Sequence, residues 1–225
     1  MNARIDHLVV AAASLEEGAA WCEATLGVLP GPGGEHPLMG THNRLLRIAT
    51  VDYPRTYFEI IAVQPGREPQ RARRWFDLDE EQVRDTLRRR GPRLLHYVAN
   101  LPDVRQAVAA WQALGIERGE VVEASRETPR GLLQWQITLR GDGARLFDGT
   151  LPTLIEWGST HPASAMPESG VTLHSLVATH PKATQLRAAV EAIALQGVAI
   201  KDGPANLCAV LDTPRGRVRL ESEGL

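Results

Sequence analysis

Three histidines stand inside short apolar runs: His7 in Ile5-Asp6-His7-Leu8-Val9-Val10, His96 in Leu94-Leu95-His96-Tyr97-Val98, and His174 in Leu173-His174-Ser175-Leu176-Val177. Three carboxylates occupy comparable runs farther along each stretch: Glu59 in Tyr57-Phe58-Glu59-Ile60-Ile61, Glu156 in Leu154-Ile155-Glu156-Trp157, and Glu221 in Val218-Arg219-Leu220-Glu221. Imidazole nitrogens and carboxylate oxygens are the donors that suit a borderline divalent ion such as Zn, Ni, Fe or Mn. The same groups act as general acids and bases. A glutamate inside an apolar strand is costly to bury without a cation or donor beside it, and Glu59 therefore requires a partner. An arginine such as Arg44 or Arg47 is the ordinary one.

The elements that must hold these residues follow one grammar. Alternation puts Ile5, His7 and Val9 on one strand face and Asp6, Leu8 and Val10 on the other. Ser14 then caps a helix with Glu16 and Glu17 in its first turn, which runs to Gly27. Asp103 follows His96, and Pro181 follows His174, at the same seven-residue interval. Each helix leads to strand-like segments, so the chain reads as three β-α-β-β-β units in an α+β fold. The first spans 1–64 and the second 93–158, with a connecting segment over 65–92; a Pro- and Ser-rich linker over 159–170 precedes the third, 171–225. The connecting segment carries Trp75 and Phe76 and predicts a helix over Glu80 to Arg89. At this length it either covers a cleft or spans two modules.

His42 lies two residues after Gly40, on the strand preceding that of Glu59, where it could approach the same pocket as ligand, general base or hydrogen-bond donor. The competing reading is that His42 and Asn43 fix the start of the strand by bonds to the Gly-rich loop, in which His36 is expected to be exposed. Alternation over Thr41 to Ile48 sends Asn43 and Leu45 one way, His42 and Arg44 the other.

Composition bounds the rest. The chain has 225 residues, 43% apolar and 23% charged, with net charge −2, which gives no support to nucleic acid or an anionic membrane as partner. Cys22 and Cys208 read as buried apolar residues, and no 18-residue apolar run or basic-then-apolar leader is present, so a cytoplasmic location is expected.

A histidine on the opening strand and a glutamate on the closing strand of repeated β-α-β-β-β units resembles the vicinal oxygen chelate superfamily of glyoxalases, extradiol dioxygenases and bleomycin-resistance proteins. More narrowly, Asp6-His7-Leu8-Val9-Val10, Gly40-Thr41-His42-Asn43-Arg44-Leu45-Leu46, Tyr57 to Ala62, Arg74-Trp75-Phe76-Asp77-Leu78 and Leu151 to Trp157 are similar to the glyoxalase-like domain proteins. The resemblance implies paired modules whose sheets curl into a half-open barrel. It implies a divalent metal held by His7, Glu59, His96 and Glu156, with His42 and Glu59 as catalytic residues. The implied activity is a lyase, isomerase or dioxygenase acting on a small vicinal-oxygen substrate. The alternative class is a metal-free protein that binds or sequesters a small molecule in the same cleft.

The third unit departs from the pattern, because the family's glutamate position falls on Leu220, one residue from Glu221, and a one-residue shift turns the side chain to the other face. His174 and Glu221 are therefore not expected to form a second site, and this unit is expected to pack as support or to pair with its copy in a homodimer. Arg44, Arg47 or Arg130 could recognise a carboxylate or phosphate.

Overall fold

Strand β1 (Arg4–Ala11) runs through the middle of an eight-stranded sheet in a computed structural model that describes residues 2–128 and 131–225. The first unit adds α1 (Leu15–Leu26), β2 (Gly31–His36), β3 (Thr41–Arg47) and β4 (Tyr57–Val63). The second consists of β5 (Arg93–Asn100), α3 (Val104–Gln112), β6 (Glu120–Thr128), β7 (Gly131–Leu139) and β8 (Thr153–Trp157), with α2 (Glu81–Arg90) between the units. Strand order is β2-β3-β4-β1-β5-β8-β7-β6. Within each unit the opening strand pairs in parallel with the closing one, and β1 and β5 join the units antiparallel. The sheet curls until its edge strands nearly meet: a Cβ on Gly34 of β2 would lie 2.0 Å from Nη1 of Arg126 on β6.

Local chemistry explains the helices. Ser14 accepts from the Glu17 amide at 3.1 Å and Gly27 closes α1 with φ of 78°, where a side chain would be strained. α1 lies close on the convex face because Gly18 has no side chain; a Cβ there would come within 2.4 Å of Ile60 Cγ2. Leu8, Val10, Phe58 and Ile60 are fully buried on that face. Each contributes about 1.5–3 kcal/mol by leaving water.

The third unit covers the convex face. Its β9 (Thr172–Thr179), α4 (Ala183–Ala192), β10 (Ala199–Lys201), β11 (Asn206–Thr213) and β12 (Gly216–Glu221) form a separate sheet in the order β10-β9-β11-β12. The sequence of elements repeats, but the pairing does not: β9 lies between β10 and β11, because it has no second opening strand to pair with as β1 has β5. Leu176, Ala209 and Leu211 join the apolar core of Leu8, Phe58 and Tyr97. Trp111 of α3 donates to the Ala189 carbonyl of α4 at 2.8 Å. His174 faces Asp212, and Glu221 accepts from Asn206 and Arg219, so these two are not brought together.

The connecting segment fills the far end of the concave face. Phe76 and Leu78, with Val83 and Leu87 of α2, pack on Val9, Ala11, Ile61 and Val98. Buried Arg74 secures the turn through Asp79 and the Arg67 carbonyl, and Asp77 accepts from Arg145 Nε at 2.8 Å. Phe76 and Asp77 both have φ near 60°, a conformation such residues hold only under external restraint. Among the described residues, no helix is long and apolar enough to cross a membrane.

Candidate active site

A cleft opens along the concave face between the two edge strands. Its outer part has a volume of about 610 Å³, and a narrow inner pocket of about 50 Å³ continues from it; His36, Trp75, Arg126, Trp135 and Ile137 line both. The polar groups gather at the inner end.

His7 and Glu59 meet there. β1 and β4 are parallel neighbours, with His7 beside Tyr57 and Val9 beside Glu59, so alternation sends both side chains to the concave face. His7 Nε2 stands 3.4 Å from Glu59 Oε2, and the Tyr57 ring stacks on the imidazole with centroids 4.5 Å apart. Asp6 joins them despite its expected place on the opposite face. The pairing of β1 with β5 shifts between Ile5 and His7, which leaves Asp6 as the extra residue of a bulge. Its fully buried carboxylate accepts from His7 Nδ1 at 2.6 Å, and from His161 Nε2 and Trp157 Nε1 at 2.9 Å each.

The charges follow from these bonds. Burial alone would lower the His7 pKa, but the hydrogen bonds to Asp6 and Glu59 outweigh it and raise it to about 9, so the ring is an imidazolium at neutral pH. Burial would likewise raise Asp6 and Glu59, and the histidine hydrogen bonds instead hold both below their usual range. One cation thus sits between two carboxylates, a buried arrangement with one negative charge in excess.

Asn43 and His36 complete the pocket; the sequence predicts a bond from Asn43 to the Gly-rich loop and an exposed His36, and places neither here. Asn43 donates to Glu59 Oε1 at 2.5 Å, lies 3.3 Å from His36 Nε2, and accepts from the Gly34 amide at 2.7 Å. His36, expected to be exposed, turns into the cleft from the edge of the sheet; burial lowers its pKa to about 4, and Nδ1 bonds Thr41 Oγ1. The alternation that separated Asn43 from His42 was the available signal for Asn43. For His36, His161 and Arg126 there was none, since their approach depends on how the loops and edges close.

The structure does not bring the other predicted residues to this point. His42 lies on the convex side with its charge neighbours Glu16, Glu35 and Arg44, because its strand alternates and Asn43 takes the inward place. Among the described residues its buried Nε2 has no partner. His96 is fully buried, with Nδ1 facing the Gly149 carbonyl at 2.9 Å and Nε2 3.0 Å from both the amide and the hydroxyl of Thr153. Neither ring nitrogen is free. Glu156 faces away, because β7–β8 pairing turns Trp157 and Ile155 inward; its Oε2 accepts from the Val104 amide at the α3 N-terminus. Arg44 and Arg47 do not partner Glu59: Arg47 pairs with Glu168. Arg130 lies outside the described residues.

This bears on the metal. Of the four expected donors two are committed elsewhere, and His36 Nε2, 3.9 Å from Glu59 Oε1, does not complete a set because the Asn43 amide already donates to that oxygen. Among the described residues no three His, Cys, Asp or Glu side chains are set to hold an ion. The donors as folded do not fit a metal held by three or four side chains.

Comparison with known proteins agrees with this architecture. A family model described as glyoxalase-like domain matches residues 5–194. No curated protein matches the chain. Among solved structures, a hypothetical protein from Staphylococcus aureus is 12% identical with a TM-score of 0.63, covering 91% of this chain and 88% of that one. Methylmalonyl-CoA epimerases from Streptomyces coelicolor and Mycobacterium tuberculosis are 20% and 17% identical, with TM-scores of 0.43 and 0.38. They cover 70% and 72% of this chain, and 96% and 91% of their own lengths are matched.

Proposed function

Because the chain belongs to the glyoxalase-like domain family of the vicinal oxygen chelate superfamily, we propose that its cleft moves a proton on a small carbonyl substrate, in an isomerase or lyase reaction carried by His7 and Glu59. The observation that carries this reading is the buried line Asp6–His7–Glu59 at the closed end of a cleft with tryptophan walls.

Glu59 is ionised and held by Asn43, so its free oxygen can take a proton from a carbon next to a carbonyl. His7 presents Nε2–H to Glu59 Oε2 across 3.4 Å, a long contact that a substrate oxygen can take over. The C–H electron pair passes into the enolate, whose oxygen the imidazolium stabilises, while Asp6 fixes the ring through Nδ1. When the substrate oxygen takes the His7 proton as its partner, Glu59 loses the bond that holds its pKa down, and its basicity rises as it is needed. Return of the proton to the neighbouring carbon of an enediolate completes an isomerisation; departure of a β substituent with the enolate's electron pair completes an elimination.

The test is exchange of the α proton for deuterium, followed by NMR, across small 2-oxo and 2-hydroxy acids and their esters. Wild type is expected to exchange at least one of them, with His7→Gln and Glu59→Gln each about 100-fold slower or worse. Binding of these compounds without exchange in wild type overturns the catalytic reading. It favours the second reading, a sequestering protein, which the aromatic walls Trp75, Trp135 and Trp157 support.

A further inference from the structure

We infer that Arg126, on the edge strand β6, receives the carboxylate of an organic acid whose apolar or aromatic body lies along the outer cleft. The inference rests on the acid–base reading of the inner pocket and adds the class of substrate that pocket serves.

Arg126 lines both the outer cleft and the inner pocket, within electrostatic reach of His36 and Tyr57. Among the described residues it has neither an ion-pair partner nor a hydrogen-bond acceptor, whereas Arg74, Arg118, Arg140 and Arg145 are all engaged by protein groups. A guanidinium is a planar fork of donors that matches a carboxylate.

Its place is built by the opposite edge of the sheet. Gly34 leaves the space that the guanidinium occupies: a Cβ there would fall 2.0 Å from Nη1 and 2.6 Å from Cζ. The walls beside it are Trp75, Trp135 and Ile137. Glu123 and Glu127 alternate with Arg126 on β6 and so face away from it, and Glu35 shares the face of His42, which leaves the Arg126 fork to match a single carboxylate.

Tryptophan fluorescence titration with benzoate, phenylacetate and mandelate, each against its methyl ester, tests the assignment. Wild type is expected to bind at least one acid about tenfold more tightly than its ester. Arg126→Gln should reduce that preference to within about twofold while leaving ester affinity unchanged. Arg126→Lys should retain part of it. Gly34→Ala, which displaces the guanidinium without touching the core, should reduce it with an unaltered melting temperature. No acid preference in wild type, or a preference that persists in Arg126→Gln, overturns the assignment. An Arg126-dependent preference in a protein that exchanges no α proton leaves the assignment standing and removes the acid–base reading instead.

Discussion

Replacing Asp6 by Asn removes one of the two carboxylates that hold the proton on His7, while keeping the shape of the side chain. The distance between the ordinary histidine value of 6.5 and about 9 corresponds to roughly 3 kcal/mol of preference for the imidazolium in the folded protein. Asp6 is the stronger of the two holds and burial goes on opposing the charge, so Asp6→Asn removes more than half of the net preference and His7 titrates more than about one pH unit lower. The consequence for stability has a definite sign. A group with a raised folded pKa contributes stability that is complete below its unfolded value near 6.5 and is lost as pH rises through about 9. Urea unfolding of wild type should therefore weaken between pH 6 and 9.5, and the loss should be smaller in Asp6→Asn. Subtracting one profile from the other isolates His7, because buried Cys22, pushed up to about 12 by desolvation alone, is common to both. Imidazole NMR titration reads the pKa directly. A wild-type His7 that titrates near 6.5, or one whose titration is unmoved by Asp6→Asn, refutes the reasoning.

Four other outcomes follow from the same geometry. Exchange of the α proton should fall above pH 9 as His7 loses its proton, and an unchanged rate at pH 10 would remove His7 as the acid. Asn43→Ala leaves Glu59 Oε1 and His36 Nε2 without their shared donor and should cost about 1–3 kcal/mol in thermal unfolding, with slower exchange; a neutral result would show that the amide is dispensable. Glu156→Gln and His42→Ala should leave exchange untouched, with Glu156→Gln losing at most about 1 kcal/mol of stability through the α3 terminus. Chelator treatment should likewise leave exchange unchanged, and its loss on chelation with recovery on adding Zn, Ni, Fe or Mn would show that the donors rearrange to hold an ion.

The α1 and α3 boundaries and the strand on which each candidate residue lies were legible because they are local. Ser14 and Asp103 cap the two helices, and alternation alone separated Asn43 from His42. The pairing of His7 with Glu59 was also within reach, since opening and closing strands of one unit are neighbours. What alternation could not supply was the register on the second unit, where one residue decides whether Glu156 or Trp157 turns inward.

Sequence by itself determined the elements, their order and the two residues at the centre of the pocket, because these depend on periodicity and capping within a few residues. Only the tertiary structure decided that a bulge turns Asp6 toward His7, that His96 is bonded at both nitrogens, and that the third unit covers the convex face. Only it brought Gly34 and Arg126, from opposite edges of the curled sheet, to one place. Bulges, loop closure and sheet curvature are settled by burial and hydrogen-bond satisfaction over the whole chain, and no stretch of local pattern contains them.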